Sequence, residues 1–136
     1  MSVQHKDLNT QIQQFLAAPS FAVVGASADP TKFGHRCFAC YLRHGRRAYP
    51  INPRAESILG QTAYPSLGAL PERVESVTVV TPPAVTERVV EEAIAAGVRH
   101  LWMQPGAESP AAVARAREAG ISVIAGGPCL LVELGC

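Results

Sequence analysis

Residues 21–35, FAVVGASADPTKFGH, run from an apolar stretch ending on Gly25 through a loop of small residues to a second glycine, Gly34, just before a helical pattern starting near His35. This is the order of a phosphate turn in a βαβ unit, although its spacing is not the Gly-x-Gly-x-x-Gly of a dinucleotide fingerprint. A glycine at each end lets the backbone turn tightly and lets an anion approach the free N–H groups of the following helix. The expected occupant is a phosphate held among Gly25, Ala26, Ser27, Lys32 and Gly34, with Ser27 supplying a hydroxyl and Lys32 a charge.

The rest of the chain supports a βαβ context. Short apolar runs bounded by turn residues recur at Phe21–Val24, Ala48–Ile51, Val77–Val80, Leu101–Met103 and Ile121–Ile124. Helical stripes lie at Leu8–Ala17, from about His35 to His44, from about Pro83 to Ala96 and at Pro110–Ala119. The last of these is fully punctuated, with Ser109 as N-cap, Pro110 in the first turn and Gly120 just past the end. Arg54 to Arg73, with Gly60, Pro65, Gly68 and Pro71, reads as loop and short turns. Strands alternating with helices predict an α/β, doubly wound, Rossmann-like fold with a five-stranded parallel sheet of order 3-2-1-4-5. In that order the winding reverses between the first and fourth strands, which sets a ligand crevice at their carboxyl ends.

The end of the second strand narrows the ligand. A dinucleotide site normally carries Asp or Glu there to hold the ribose hydroxyls, whereas this chain reads Ile51-Asn52-Pro53-Arg54. Arg54 offers a fork of donors suited to a phosphate on the ribose. NAD is disfavoured, leaving NADP and coenzyme A. After the third strand, Thr81-Pro82-Pro83 opens a helix toward the same crevice and supplies a stiff apolar wall for an adenine ring or a pantetheine arm. After the fourth, Trp102-Met103-Gln104-Pro105-Gly106 sets a tryptophan and an amide near the crevice mouth, with the core as the alternative place for Trp102.

Length and composition bound the reading. With 136 residues, 48% hydrophobic and 17% charged, one globular domain spanning residues 1–136 is expected. Residues 1–10 are polar and no apolar run approaches the roughly 20 residues of a membrane span, so a soluble cytoplasmic protein without a membrane partner is expected. The net charge is +1, but six basic residues (Lys32, Arg36, Arg43, Arg46, Arg47, Arg54) fall between Pro30 and Ala55 with no Asp or Glu among them. Basic groups beside a glycine turn point to a phosphorylated small molecule, since a nucleic-acid binder would carry a larger overall excess. The residues from Ala111 to Val132 carry few charges and form a candidate homodimer face. Cys37 and Cys40 have Cys-x-x-Cys spacing, but Cys129 and Cys136 make a poor metal knuckle, so buried or incidental thiols are expected and no metal site is assigned.

The stretches "VVGAS…P.KFGH", "YPINP", "ILGQTAYPSL", "TPPA" and "LWMQPGAESPAAVARAREAGISVI" together resemble the small single-domain CoA-binding proteins. Their Rossmann-like fold is shared with the CoA-binding domain of succinyl-CoA synthetase alpha subunits and of ADP-forming acyl-CoA synthetases. The resemblance implies that Gly25, Ala26, Ser27 and Lys32 line the phosphate turn, that Asn52, Pro53 and Arg54 surround the adenosine end, and that Thr81, Pro82 and Pro83 contact the rest of coenzyme A or an acyl-CoA. The larger synthetases carry a second domain with a phosphorylated histidine; this chain has none, so their reaction is not expected of it. His5, His35, His44 and His100 have no evident catalytic partners, and no nucleophile–base set stands out. A non-catalytic sensor, carrier or partner module is the expected role. The alternatives are an NADP-binding reductase-like protein and a thiol-redox protein using Cys37 and Cys40, the latter requiring an exposed, acidic Cys37.

Overall fold

The computed structural model describes residues 7–136; His5 and the other residues before Asp7 lie outside the described residues. The main sheet has five parallel strands, β1 (Phe21–Val24), β2 (Ala48–Ile51), β5 (Ser76–Val79), β6 (His100–Met103) and β7 (Ser122–Ile124). A small antiparallel hairpin, β3 (Ser57–Ile58) and β4 (Gln61–Thr62), sits in the link after β2. The helices are α1 (Leu8–Leu16), α2 (Phe33–Arg43), α3 (Pro83–Ala95), α4 (Pro110–Glu118) and α5 (Leu130–Glu133). The expected α/β, doubly wound architecture is present.

Residues alternate between the two faces of the sheet, as a strand's period of two requires. Phe21, Val23 and Trp102 pack with Ile12 and Phe15 of α1, Phe38 and Tyr41 of α2 and Leu130 of α5. Ala22, Val24, Leu101 and Met103 pack on the other face with Val89 and Val90 of α3 and Ala112 and Ala116 of α4. The core is therefore two apolar layers with the sheet between them. Among the polar side chains inside it, Tyr41 Oη lies 2.6 Å from Thr78 Oγ1, and Ser76 Oγ donates to the Phe15 carbonyl at 2.7 Å. Trp102 is fully buried, stands edge-on to Phe15 at 5.3 Å, and donates its indole N–H to the Pro128 carbonyl at 3.0 Å. It belongs to the core and not to the crevice mouth.

The strand order is corrected. It runs β2-β1-β5-β6-β7, so counting the main strands alone it is 2-1-3-4-5 in place of 3-2-1-4-5. The reason lies on the outer edge of β2. There the outward-facing residue is Pro50, which has no N–H for a ladder, and the edge is already taken: Tyr64 donates to the Pro50 carbonyl at 3.0 Å and accepts from Asn52 at 2.9 Å. The third main strand pairs instead with the free side of β1, Phe21 to Val24 lying opposite Ser76 to Val79. The winding thus reverses between β1 and β5, and the crevice moves with it.

The helix punctuation of α4 is as expected, with Ser109 Oγ accepting from Ala112 N–H at 3.0 Å and Pro110 in the first turn. The stretch from Arg54 to Arg73 has no crossover helix, only the hairpin and a single 3-10 turn at Leu67–Ala69.

Candidate functional site

Four elements converge at the carboxyl edge of the sheet where the winding reverses. Gly25 follows β1 with φ +94°, a conformation that costs a residue with a Cβ. A Cβ there would also lie 2.0 Å from the Val80 carbonyl oxygen at the end of β5. Gly34 has helical φ, yet a Cβ on it would lie 2.0 Å from the Gly25 carbonyl oxygen. The two glycines let three backbones meet: the ends of β1 and β5 and the start of α2. The first N–H groups of α2 have no acceptor within the helix, and they open beside this junction.

The loop between the glycines is shaped by its own side chains. Asp29 accepts from the backbone N–H of Thr31 at 2.9 Å and from its hydroxyl at 2.7 Å. These bonds, the backbone one first, hold the Asp29 carboxyl below its ordinary range. Ser27 Oγ accepts from Asp29 N–H at 3.0 Å, which leaves the Ser27 hydroxyl proton available to donate elsewhere. His35 Nδ1 donates to the Ser27 carbonyl at 2.8 Å, so its ring braces the loop.

Asn52 joins the second strand to this turn, donating Nδ2–H to the Ala26 carbonyl at 2.8 Å and accepting from Arg54 N–H at 2.8 Å. This Asx turn carries Pro53 and the exposed Arg54 onto the rim. On the other side, Pro82 is the N-cap of α3 and Pro83 its first residue, with no side-chain cap. Thr81 Oγ1 pairs with Thr86 Oγ1 at 2.7 Å.

The result is a cleft of about 530 Å³. Of the residues expected from the sequence, Gly25, Ala26, Ser27, Asn52, Pro53, Arg54 and Thr81 line it together. Lys32 is the exposed N-cap of α2 and Gly34 is buried against Gly25, so neither lines the cleft wall. Pro82 lines a neighbouring, more apolar cleft of about 510 Å³ with Phe33, Pro105 and Cys129, and Thr81 is common to both. Pro83 is exposed and lines neither. The sequence reading missed Val85, Arg88, Val89 and Glu92, which form the α3 wall of the first cleft. The signal was present: those four positions are spaced i, i+3, i+4, i+7, a single helix face, and Arg88 puts a second cation opposite Arg54.

The thiol-redox alternative does not survive. Cys37 is fully buried and its thiol is pushed up to about 12, by burial first and then by the nearby Cys129. Its supposed partner Cys40 is joined to Cys136 in a disulfide across 96 residues. A protonated, inaccessible Cys37 is no nucleophile. Gln104 is also buried, its Oε1 accepting from Leu130 N–H at 2.9 Å and fixing the start of α5.

Similar proteins show the same domain. The chain is 32% identical over 89 residues to the acetate–CoA ligase (ADP-forming) II subunit alpha of Pyrococcus furiosus, a match covering 65% of this chain and 20% of that one. A hypothetical protein from Pyrococcus horikoshii superimposes with a TM-score of 0.87 at 28% identity, covering 97% of this chain and 96% of that one. The dinucleotide-forming acetyl-coenzyme A synthetase 1 of Ca. Korarchaeum cryptofilum matches with a TM-score of 0.69 at 30% identity, over 77% of this chain and 25% of that one. The matched segments span only 10% to 20% of the curated relatives' own length. Among the described residues no helix is long and apolar enough to cross a membrane. A CoA binding domain family model matches residues 19–135, nearly the whole described chain, and the protein belongs to that family.

Proposed function

We propose that the cleft binds coenzyme A or an acyl-CoA, and that the chain acts as a non-catalytic sensor, carrier or partner module. One observation carries this reading: a glycine-built anion turn at the switch point faces two arginines, Arg54 and Arg88, while the end of β2 offers no carboxylate for a free ribose diol. The adenosine end then lies against Asn52, Pro53 and Arg54, with Arg54 on the ribose phosphate. The pyrophosphate belongs at the Gly25–Gly34 turn, with Ser27 and the flexible Lys32 as its donors. Thr81, shared by both clefts, and Pro82 mark the way for the pantetheine arm into the second, apolar cleft, which is suited to an acyl chain.

One titration set tests both the ligand and the roles. Coenzyme A should raise the melting midpoint more than NADP or NAD at equal concentration; a rise with NAD and none with coenzyme A overturns the reading, and a rise with NADP alone favours the reductase-like alternative. Arg54→Ala should weaken coenzyme A by roughly 1.5 to 3 kcal/mol, the size of a charge-assisted hydrogen bond, while sparing dephospho-CoA. Lys32→Ala should weaken both ligands alike. Calorimetry that finds equal losses on both ligands for Arg54→Ala would refute the ribose-phosphate assignment even if coenzyme A binds.

Homodimerisation through residues 111–132 is a separate proposal, supported by Val132, which is 74% exposed there. Sedimentation at tens of micromolar should show twice the 14.4 kDa chain mass; a strict monomer removes the idea.

A further inference from the structure

Cys40 lies in α2, and His44 is the C-cap of that helix, four residues on and on the same helical face. The fold brings Cys136 to the same spot, so that the two sulfurs and an imidazole nitrogen all lie within 4.8 Å of one another. Cys40 is buried, while His44 and Cys136 are exposed, so an ion can reach the group from solvent. Cys40 and Cys136 are joined as a disulfide with their Cα atoms 6.0 Å apart. We propose that the reduced form of this group, Cys40, His44 and Cys136, is a zinc site, so that the same residues close as a disulfide when oxidised and hold Zn²⁺ when reduced.

The chemistry balances. A dithiol reductant gives two electrons and two protons to the Cys40–Cys136 bond, leaving two thiols and its own disulfide. Zn²⁺ then displaces both thiol protons to solvent and is bound by two thiolates and the neutral imidazole, with a fourth position for water. Tetrahedral zinc with Zn–S near about 2.3 Å and Zn–N near about 2.1 Å needs donors about 3.5 to 3.8 Å apart; the bonded sulfurs have to separate on reduction to reach that spacing, while the imidazole nitrogen already lies within 4.8 Å of both. Two thiolates and an imidazole select zinc over the hard cations magnesium and calcium. Arg36 and Arg43 line the surface depression that Cys136 shares; their charge favours thiolates, and two thiolates neutralise the incoming dication. Sequence spacing hid the site because its second sulfur comes from 96 residues away, not from the Cys-x-x-Cys pair.

The test uses the intact chain, reduced with a phosphine, desalted without oxygen and titrated with Co²⁺ as the probe. One equivalent should produce thiolate-to-cobalt charge-transfer absorption and the visible bands of a tetrahedral ion, and Zn²⁺ should bleach both. The oxidised protein should give neither. Cys136→Ser, at an exposed position, should abolish the bands while far-ultraviolet circular dichroism stays unchanged, and His44→Ala should weaken binding by about tenfold or more. Cys129→Ser should bind as the parent does. Absence of the bands in the reduced chain, their persistence in Cys136→Ser, undiminished binding in His44→Ala, or their loss in Cys129→Ser each overturns the proposal.

Discussion

Trp102→Ala lowers the unfolding free energy by about 3 to 5 kcal/mol, the usual cost of deleting a fully buried large aromatic side chain. Three losses combine. The indole is 0% exposed, so its whole volume becomes a cavity between β6, α1 and α5. The edge-on contact with Phe15 disappears. The half-buried Pro128 carbonyl loses its donor, and the net loss of one such hydrogen bond is about 0.5 to 1.5 kcal/mol. Trp102→Phe separates these effects by keeping most of the packing and removing only the N–H, so its loss should fall well below that of the alanine variant. Urea denaturation followed by circular dichroism reads both. Since Trp102 lines neither cleft, ligand-induced stabilisation of the folded variants should be unaltered; a selective loss of ligand response would place the indole at the crevice mouth after all.

Gly34→Ala should cost about 3 kcal/mol, the upper end of ordinary overpacking. Its backbone is helical, where alanine is the better helix former, so propensity alone predicts a gain. The sign turns on one contact: the new methyl would lie 2.0 Å from the Gly25 carbonyl oxygen, a backbone atom that cannot rotate away. Relief requires α2 to lift from β1, which pulls the helix N-terminus off the phosphate turn. Stability and affinity should therefore fall together. Denaturant melts within about 1 kcal/mol of the parent, or coenzyme A affinity unchanged, would mean that the junction yields more easily than its geometry implies.

The turn from Gly25 to Gly34 and the loop Asn52-Pro53-Arg54 were legible because they depend on local rules: a glycine closing an apolar run, and the residue types at a strand's carboxyl end. Periodicity located the four longer helices and the five main strands for the same reason. Strand order was not local. It depended on which side of β1 the third main strand would join, and Pro50, visible in the sequence, carried that answer only once its backbone was known to face the outer edge, where its carbonyl meets Tyr64. α5 is four residues long, too short for any period to declare itself. Arg88 and Glu92 went unread because the apolar stripe of α3 drew attention to Val85 and Val89, although a cleft wall includes the polar residues flanking such a stripe. The Cys40–Cys136 pairing is tertiary throughout, since no spacing rule reaches across 96 residues.

A parallel sheet has two open edges, and each is an invitation to pair with another molecule's strand. Here both are refused. Beyond β2, Pro50 has no hydrogen to lend and the Tyr64 backbone occupies the ladder positions on either side. Beyond β7, which is only three residues long, the side-chain amide of Gln11 reaches down from α1 to the Val123 carbonyl at 3.4 Å and the Ser122 hydroxyl at 3.3 Å. Crowded solutions of this chain are thereby guarded against growing strand by strand from the main sheet into fibres, which favours association through side-chain surfaces that can be specific.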